Sequence, residues 1–123
     1  SNRKVLLVDA DMRKPRLHSI FKKRNIVGLS NFLSEQAKFD ELIKDTKIEN
    51  LFLVSGGPHP PNPSELLSSH KMQEFIHKAK EKFDFILIWL IIEGKSTFLI
   101  LNASIRTPST LKRITPSIFP GSK

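Results

Sequence analysis

Two aspartates, one residue apart, follow an apolar run near the start of the chain, and a basic turn comes directly after them. Asp9 and Asp11 lie on the same side of the backbone if the strand continues through both. Paired carboxylates suit a hydrated Mg²⁺ ion, and Arg13, Lys14 and Arg16 bring positive charge for phosphate oxygens. The spacing therefore predicts magnesium ligation by Asp9 and Asp11 and phosphate binding by Arg13 and Lys14. The competing interpretation is a strand that ends at a polar turn, where Asp is common.

Three apolar runs predict the strands that position these side chains. Residues 5–8 and 51–54 are continuous apolar runs, typical of strands buried on both faces, and residues 83–92 form a longer third candidate. Apolar residues at helical spacing predict helices between the strands, a short one over residues 16–23 and the longest over residues 72–79. Because strands and helices alternate, we expect an α/β fold with a three-layer parallel sheet flanked by helices.

Composition limits the classes of partner. The net charge is +8 at pH 7, and residues 1–88 and 89–123 contribute +4 each. No recognition motif or aromatic platform accompanies this charge, so we expect no nucleic-acid partner. The absence of cysteine fits a reducing cytoplasm. We find no secretory signal, and the longest apolar run is far shorter than the roughly 20 residues of a spanning helix, so we expect membrane contact only through a partner.

Three sequence blocks resemble the cytoplasmic kinase domain of bacterial tyrosine kinases, the ATPases of capsular and exopolysaccharide biosynthesis. The first is V-L-L-V-D-A-D-M-R-K-P over residues 5–15, similar to the family's second Walker-type motif, with G-L-S-N-F-L-S over residues 28–34. The second covers residues 50–69 and includes P-P-N-P-S-E-L-L, and the third is the helix-to-strand passage at residues 75–88. The resemblance extends over residues 4–88 and implies an incomplete fold of the P-loop NTPase type.

The chain also departs from the family pattern. The family has a glycine-rich Walker A loop upstream of the Asp9 strand, where this sequence has three residues, and a Walker B aspartate where this sequence has Trp89. The family's C-terminal tyrosine cluster has no counterpart, since the chain contains no Tyr. Beyond residue 88 the resemblance stops. We therefore predict a partial kinase domain over residues 1–88 and a divergent tail over residues 89–123, irregular or disordered over residues 103–123.

The resemblance implies a function as well as a fold. Family members are ATP-dependent protein-tyrosine autokinases, so Asp9 and Asp11 would support Mg²⁺ with ATP, and one of them would accept the proton of the attacking tyrosine hydroxyl. The implied partners are a membrane activator of the polysaccharide co-polymerase type and further kinase subunits, with a cytoplasmic location at the inner face of the membrane. The departures predict that the chain as given is inactive.

Two other functions remain open at this stage. One is a non-catalytic interaction module that binds an intact kinase or its membrane activator. The other is a fragment of a partitioning or septum-placement ATPase with a related order of strands and loops, although the P-P-N-P-S-E-L-L block favours the polysaccharide kinases.

The segment E-G-K-S-T at residues 93–97 imitates the end of a phosphate-binding loop. The complete motif needs Gly at the position of Trp89 and small residues in between, whereas Leu90, Ile91 and Ile92 are bulky and favour a strand. We therefore predict that this segment does not form a phosphate cradle, while nucleotide binding by Lys95 in another arrangement remains the alternative.

Overall fold

The computed structural model describes residues 2–104 and the strand at residues 112–114. Its strands and helices alternate along most of the chain. They are β1 (Val5–Asp9), α1 (Leu17–Ile20), α2 (Leu29–Leu33), α3 (Phe39–Leu42), β2 (Lys44–Asp45), β3 (Leu51–Val54), α4 (Pro63–Leu67), α5 (His70–Lys82), β4 (Phe85–Ile92), β5 (Lys95–Asn102) and β6 (Lys112–Ile114). Among the described residues, no helix has the length and apolar character needed to cross a bilayer.

The six strands form one sheet in the order β2-β3-β1-β4-β5-β6. The central strand β1 pairs in parallel with β3 on one side and with β4 on the other. The flanking strands β2, β5 and β6 pair antiparallel with their neighbours. The predicted α/β class and the three predicted strands are confirmed. These three strands pair in parallel as predicted. The sequence did not predict β2, β5 and β6, and their antiparallel pairing makes the sheet mixed.

The two faces of the sheet have separate apolar cores. The larger core includes Leu6, Val8 and Ile86 from the strands and lies under α2 to α5, with Phe32 and Phe75 among its buried rings. The smaller core lies on the opposite face, under α1, and consists of Leu7, Leu17, Leu53 and Trp89. Helices on both faces give the predicted three layers.

The helices start and end where local chemistry requires. The longest helix, α5, begins after Ser69, whose side chain accepts a hydrogen bond from the Met72 N–H. Helix α1 is shorter than the predicted span of residues 16–23, because Lys22 adopts a left-handed conformation with φ of 55°.

The predicted division at residue 88 falls inside β4. This strand continues to Ile92, in agreement with the strand predicted over residues 83–92, and it pairs with β5 in a regular hairpin. Residues 103 and 104 form a turn, and most of the segment predicted to be irregular lies outside the described residues. A separate domain over residues 89–123 stays a prediction.

Candidate functional site

Asp9 ends β1 and organises the loop that follows it. One carboxylate oxygen, Oδ1, accepts the Asp11 N–H at 3.0 Å, and Oδ2 accepts the N–H groups of Arg16 and Leu17 at 2.8 and 3.0 Å. The side chain is fully buried. Asp9 therefore satisfies the first N–H groups of α1 and closes residues 10–16 into a compact basic loop.

The environment of Asp9 acts on its protonation in two directions. Burial raises the pKa of the carboxyl group above its ordinary value of 3.8, and the negative charge of Asp11 adds a smaller effect of the same sign. The three backbone N–H groups lower the pKa but do not overcome the burial. A buried carboxylate held in this way is suited to fixing a loop.

Asp11, Arg13 and Lys14 come together at the carboxyl edge of β1. They line one cavity of about 580 Å³, together with Ala10 and Met12 from the same loop. The Asp11 Oδ1 atom accepts the Lys14 N–H at 3.2 Å, which tightens the turn that carries the two basic side chains. Arg13 and Lys14 are exposed, whereas Asp11 is half-buried. Three of the four predicted site residues therefore share a cavity, and Asp9 lies beneath it.

The two aspartates are not equivalent, contrary to the expectation that they share one side of a continuous strand. Strand β1 ends at Asp9, and the Ala10 N–H makes the last bond to a neighbouring strand, to the Trp89 carbonyl at 2.7 Å. Asp11 already belongs to the loop. The side-chain alternation of a strand therefore does not extend to Asp11.

The opposite wall of the cavity comes from the loop after β3 and from the start of α4. His59, Pro63, Ser64 and Leu67 line it, and Leu90 and Ile91 of β4 complete the lining. Neither His59 nor Ser64 stands in a sequence motif that predicts a site. Both β1 and β3 end at the same edge of a parallel pair, so the loops that follow them were bound to approach one another. That was the available signal.

A network of hydrogen bonds fixes the loop after β3. The Asn25 amide bonds Gly57 twice, donating to its carbonyl at 3.0 Å and accepting from its N–H at 2.7 Å. The Ser30 hydroxyl donates to the Pro58 carbonyl at 2.7 Å. A Cβ atom added at Gly28 would overlap the backbone of Ser55 and Gly57, so this crossing requires glycine.

Trp89 lies within β4, in register with Asp9 at the end of β1. Its indole is 1% exposed and packs among Leu7, Leu17 and Leu53. The ring of Phe98 meets it edge to face, with centroids 4.9 Å apart. The resemblance predicts a family aspartate at this position, and a large buried apolar side chain occupies it in this chain.

The described residues fit a magnesium ion in part. Within residues 2–104 no group of three or more acidic or histidine side chains converges as a metal centre. Both oxygens of Asp9 already accept backbone N–H groups, whereas Asp11 faces the cavity. Mg²⁺ commonly uses one or two carboxylates together with water and phosphate oxygens. Asp11 is therefore placed to act as a Mg²⁺ ligand, whereas the Asp9 oxygens are already engaged by the backbone.

Lys95 lies outside this cavity. Glu93 and Gly94 adopt left-handed conformations, with φ of 52° and 75°, and they connect β4 to β5 as a two-residue hairpin turn. The prediction that E-G-K-S-T does not form a phosphate cradle is confirmed, because the backbone at this point serves the antiparallel ladder.

The geometry defines a class of protein. A parallel strand trio with a basic loop and a helix start around a cavity at its carboxyl edge is the arrangement of α/β proteins that bind ligands beyond the strand ends. Comparison with solved structures narrows this class to the P-loop NTPase type. The chimerical protein CapA2B2 matches with a TM-score of 0.68 and 40% identity, over 70% of this chain and 38% of that one. The septum site-determining protein MinD from Pyrococcus horikoshii, solved with Mg-ADP, matches with a TM-score of 0.58 and 31% identity, over 71% and 36%.

Sequence relatives give the family. The chain is 44% identical over 85 residues to a putative tyrosine-protein kinase CapB of Staphylococcus aureus, covering 69% of this chain and 37% of the relative. It is 42% identical over 105 residues to the tyrosine-protein kinase CpsD of Streptococcus pneumoniae serotype 4, covering 85% and 44%. No protein-family model matches the chain. The chain therefore corresponds to part of a kinase domain of the bacterial tyrosine kinase family. It spans less than half the length of these relatives.

The longer match also bears on the extent of the resemblance. The match to CpsD covers 105 residues, so it must extend past residue 88, where we expected the resemblance to stop.

Proposed function

We propose that this chain is part of an ATP-dependent protein-tyrosine kinase that regulates capsular or exopolysaccharide biosynthesis. The observation that carries the proposal is the cavity at the carboxyl edge of β1, where Asp11, Arg13 and Lys14 converge. The names of the relatives, which are tyrosine-protein kinases, supply the class of reaction. The MinD match, with its lower TM-score, gives the ATPase alternative less support.

Each residue of the basic loop has a proposed role. Arg13 and Lys14 bind phosphate oxygens of ATP, since both are exposed cations at the cavity. Asp11 contributes a carboxylate ligand to Mg²⁺, which when bound neutralises charge on the phosphates. Asp9 holds the loop through its three backbone hydrogen bonds. Direct metal ligation by Asp9 and proton transfer by either aspartate stay predictions.

The resemblance also supports a proposal for location and partners. We expect the segment to lie in the cytoplasm and to reach the inner face of the membrane through an activator of the polysaccharide co-polymerase type. Copies of the kinase itself are the second expected partner.

The chain alone should bind Mg·ATP weakly and transfer no phosphate. Most of the stabilisation of a phosphoryl-transfer transition state comes from a backbone cradle and several charged groups. By the resemblance, Trp89 stands at the place of a family carboxylate, and its buried indole supplies no charge to the site.

Nucleotide titration of the purified chain tests the proposal. A fluorescent ADP analogue with Mg²⁺ should bind, and Asp11→Asn and the double variant Arg13→Ala/Lys14→Ala should each weaken this binding about tenfold. Asp45→Asn removes an exposed carboxylate outside the cavity and is the matched control. No difference between Asp11→Asn and Asp45→Asn would contradict the proposed site.

Phosphate transfer needs a separate substrate, because the chain has no tyrosine. Labelled ATP and a random glutamate-tyrosine polymer should give no labelled polymer with this chain. Labelling that Asp11→Asn abolishes would show that the segment is a complete catalyst and would contradict our expectation.

A further inference from the structure

Another cavity shares no lining residue with the candidate site. Exposed apolar side chains and lysines line it together. It has a volume of about 520 Å³. We call its lining the basic apolar patch: Ile20, Phe21, Lys22, Lys23, Lys47 and Ile48. None of these residues lines the cavity that contains Asp11, so the patch is independent of the proposed kinase site.

Exposed isoleucine is the unusual feature of the patch. Among the described residues, the large apolar side chains with high exposure are four isoleucines, and two of them meet here, Ile20 at 54% and Ile48 at 57%. Exposing two such side chains beside one cavity loses the stabilisation that burial would give. A contact surface accounts for that arrangement.

The backbone holds both apolar side chains outward. Lys22 has a left-handed conformation, which ends α1 directly after Ile20 and Phe21. In the other half of the patch the Thr46 hydroxyl donates to the carbonyls of Ile48 and Leu51 and accepts the Ile48 N–H at 3.1 Å. The patch therefore does not depend on a flexible loop for its shape.

The charge of the patch has one sign. Three lysines line it and no acidic side chain does, although Asp45 and Glu49 lie close to Lys47 in the sequence. Next to the patch, burial lowers the pKa of Lys44, and the positive charge of Lys23 lowers it further. The complementary ligand is anionic and has an apolar part.

We propose that the basic apolar patch binds the surface of an anionic lipid bilayer. Lysines near such a surface are attracted to its headgroups without fixed hydrogen-bond geometry, and isoleucines enter the interfacial region. A protein partner would be a different ligand, and protein interfaces are depleted in lysine and enriched in Arg, Tyr and Trp, which the patch lacks. The proposal adds a direct membrane contact to the partner-mediated one expected from the sequence.

Vesicle sedimentation tests this proposal with the full chain. Vesicles of phosphatidylcholine mixed with phosphatidylglycerol should bind it, vesicles of phosphatidylcholine alone should not, and added salt should weaken the binding. The triple variant Lys22→Gln/Lys23→Gln/Lys47→Gln should bind about 100-fold more weakly, and Ile20→Ser/Ile48→Ser about tenfold more weakly.

The matched control is Lys4→Gln/Lys38→Gln/Lys95→Gln, which removes the same charge from exposed lysines outside the patch. It should bind within about twofold of the original chain. Equal losses in the two triple variants, or no binding to phosphatidylglycerol vesicles, would overturn the proposal. Tighter, patch-dependent binding of a glutamate- and leucine-rich peptide than of vesicles would also overturn it, in favour of a protein-docking surface.

Discussion

Asp9 and Trp89 are register partners on the neighbouring parallel strands β1 and β4, and the Ala10 N–H bonds the Trp89 carbonyl at 2.7 Å. Side chains in register lie on the same face of a sheet. The indole and the buried carboxylate are therefore neighbours at the sheet edge that carries the candidate site. Trp89 contributes to the apolar core at this edge, whereas Asp9 holds the basic loop of the candidate site.

Replacing Trp89 by aspartate should destabilise the chain. Trp89→Asp removes a fully buried ring from the core of Leu7, Leu17 and Leu53 and places a carboxylate there. The free energy of unfolding should fall by about 3 kcal/mol or more. Urea denaturation measures this change, and Trp89→Phe, which keeps a ring, should lose less. A Trp89→Asp variant as stable as the original chain would show that the indole is not part of the core.

The stability of the chain should carry a pH dependence that comes from Asp9. Its pKa in the folded chain is above the ordinary value of 3.8, so the folded state binds the proton more tightly than the unfolded state. The contribution of this proton is complete below the ordinary pKa and is lost as the pH rises through the raised pKa. As the pH rises from the ordinary pKa to the raised pKa, the free energy of unfolding should therefore decrease by the amount that Asp9 contributes.

Replacing Asp9 by asparagine should remove that pH dependence and also weaken the loop. An amide can accept at one atom only, so its NH₂ group faces either the Asp11 N–H or the N–H groups of Arg16 and Leu17. The loss should be about 1–3 kcal/mol at neutral pH. Chemical denaturation at several pH values measures both effects. Asp45→Asn should leave the slope unchanged, and an unchanged slope in Asp9→Asn would contradict the assignment to Asp9.

Two glycine substitutions should be costly for different reasons. Gly28→Ala places a Cβ atom against the backbone of Ser55 and Gly57 although φ is an ordinary −156°, so we expect a loss of about 2 kcal/mol or more. Gly94→Ala meets open space, and its cost of about 1 kcal/mol comes from the positive φ of 75°. Thermal unfolding compares the two. A smaller effect at Gly28 than at Gly94 would contradict the close crossing.

Asn25 should control local opening of the loop after β3. Asn25→Ala removes both bonds to Gly57, and Asn25→Asp retains an acceptor for the Gly57 N–H. Hydrogen exchange at the Gly57 amide should accelerate most in Asn25→Ala, by about tenfold or more, and less in Asn25→Asp. Equal exchange in the original chain and Asn25→Ala would mean that other contacts hold this loop.

The sequence predicted the central strands and the basic loop because these features are local. The apolar run of β1 is adjacent in the chain to the charges that follow it, and the strand is confirmed. Asp11, Arg13 and Lys14 line one cavity, while their roles stay predictions. The differing environments of Asp9 and Asp11 could not be predicted in this way. They depend on where the strand ladder stops, which the pairing of Ala10 with Trp89 determines.

The remaining differences arise from contacts distant in sequence. His59 joins the cavity only because β1 and β3 are adjacent in the sheet, although their sequences are far apart. The sequence does not predict the returning strand β5, because E-G-K-S-T resembles the end of a phosphate-binding loop more than a hairpin turn. Glu93 and Gly94 supply the left-handed pair that such a turn requires.

The three hydrogen bonds to the Asp9 carboxylate also restrict how a ligand can enter. Residues 10–16 cannot swing outward as a lid unless bonds to the N–H groups of Asp11, Arg16 and Leu17 break within the protein interior. The basic loop is therefore already in place before a ligand arrives, so binding at this wall does not have to order the backbone of residues 10–16.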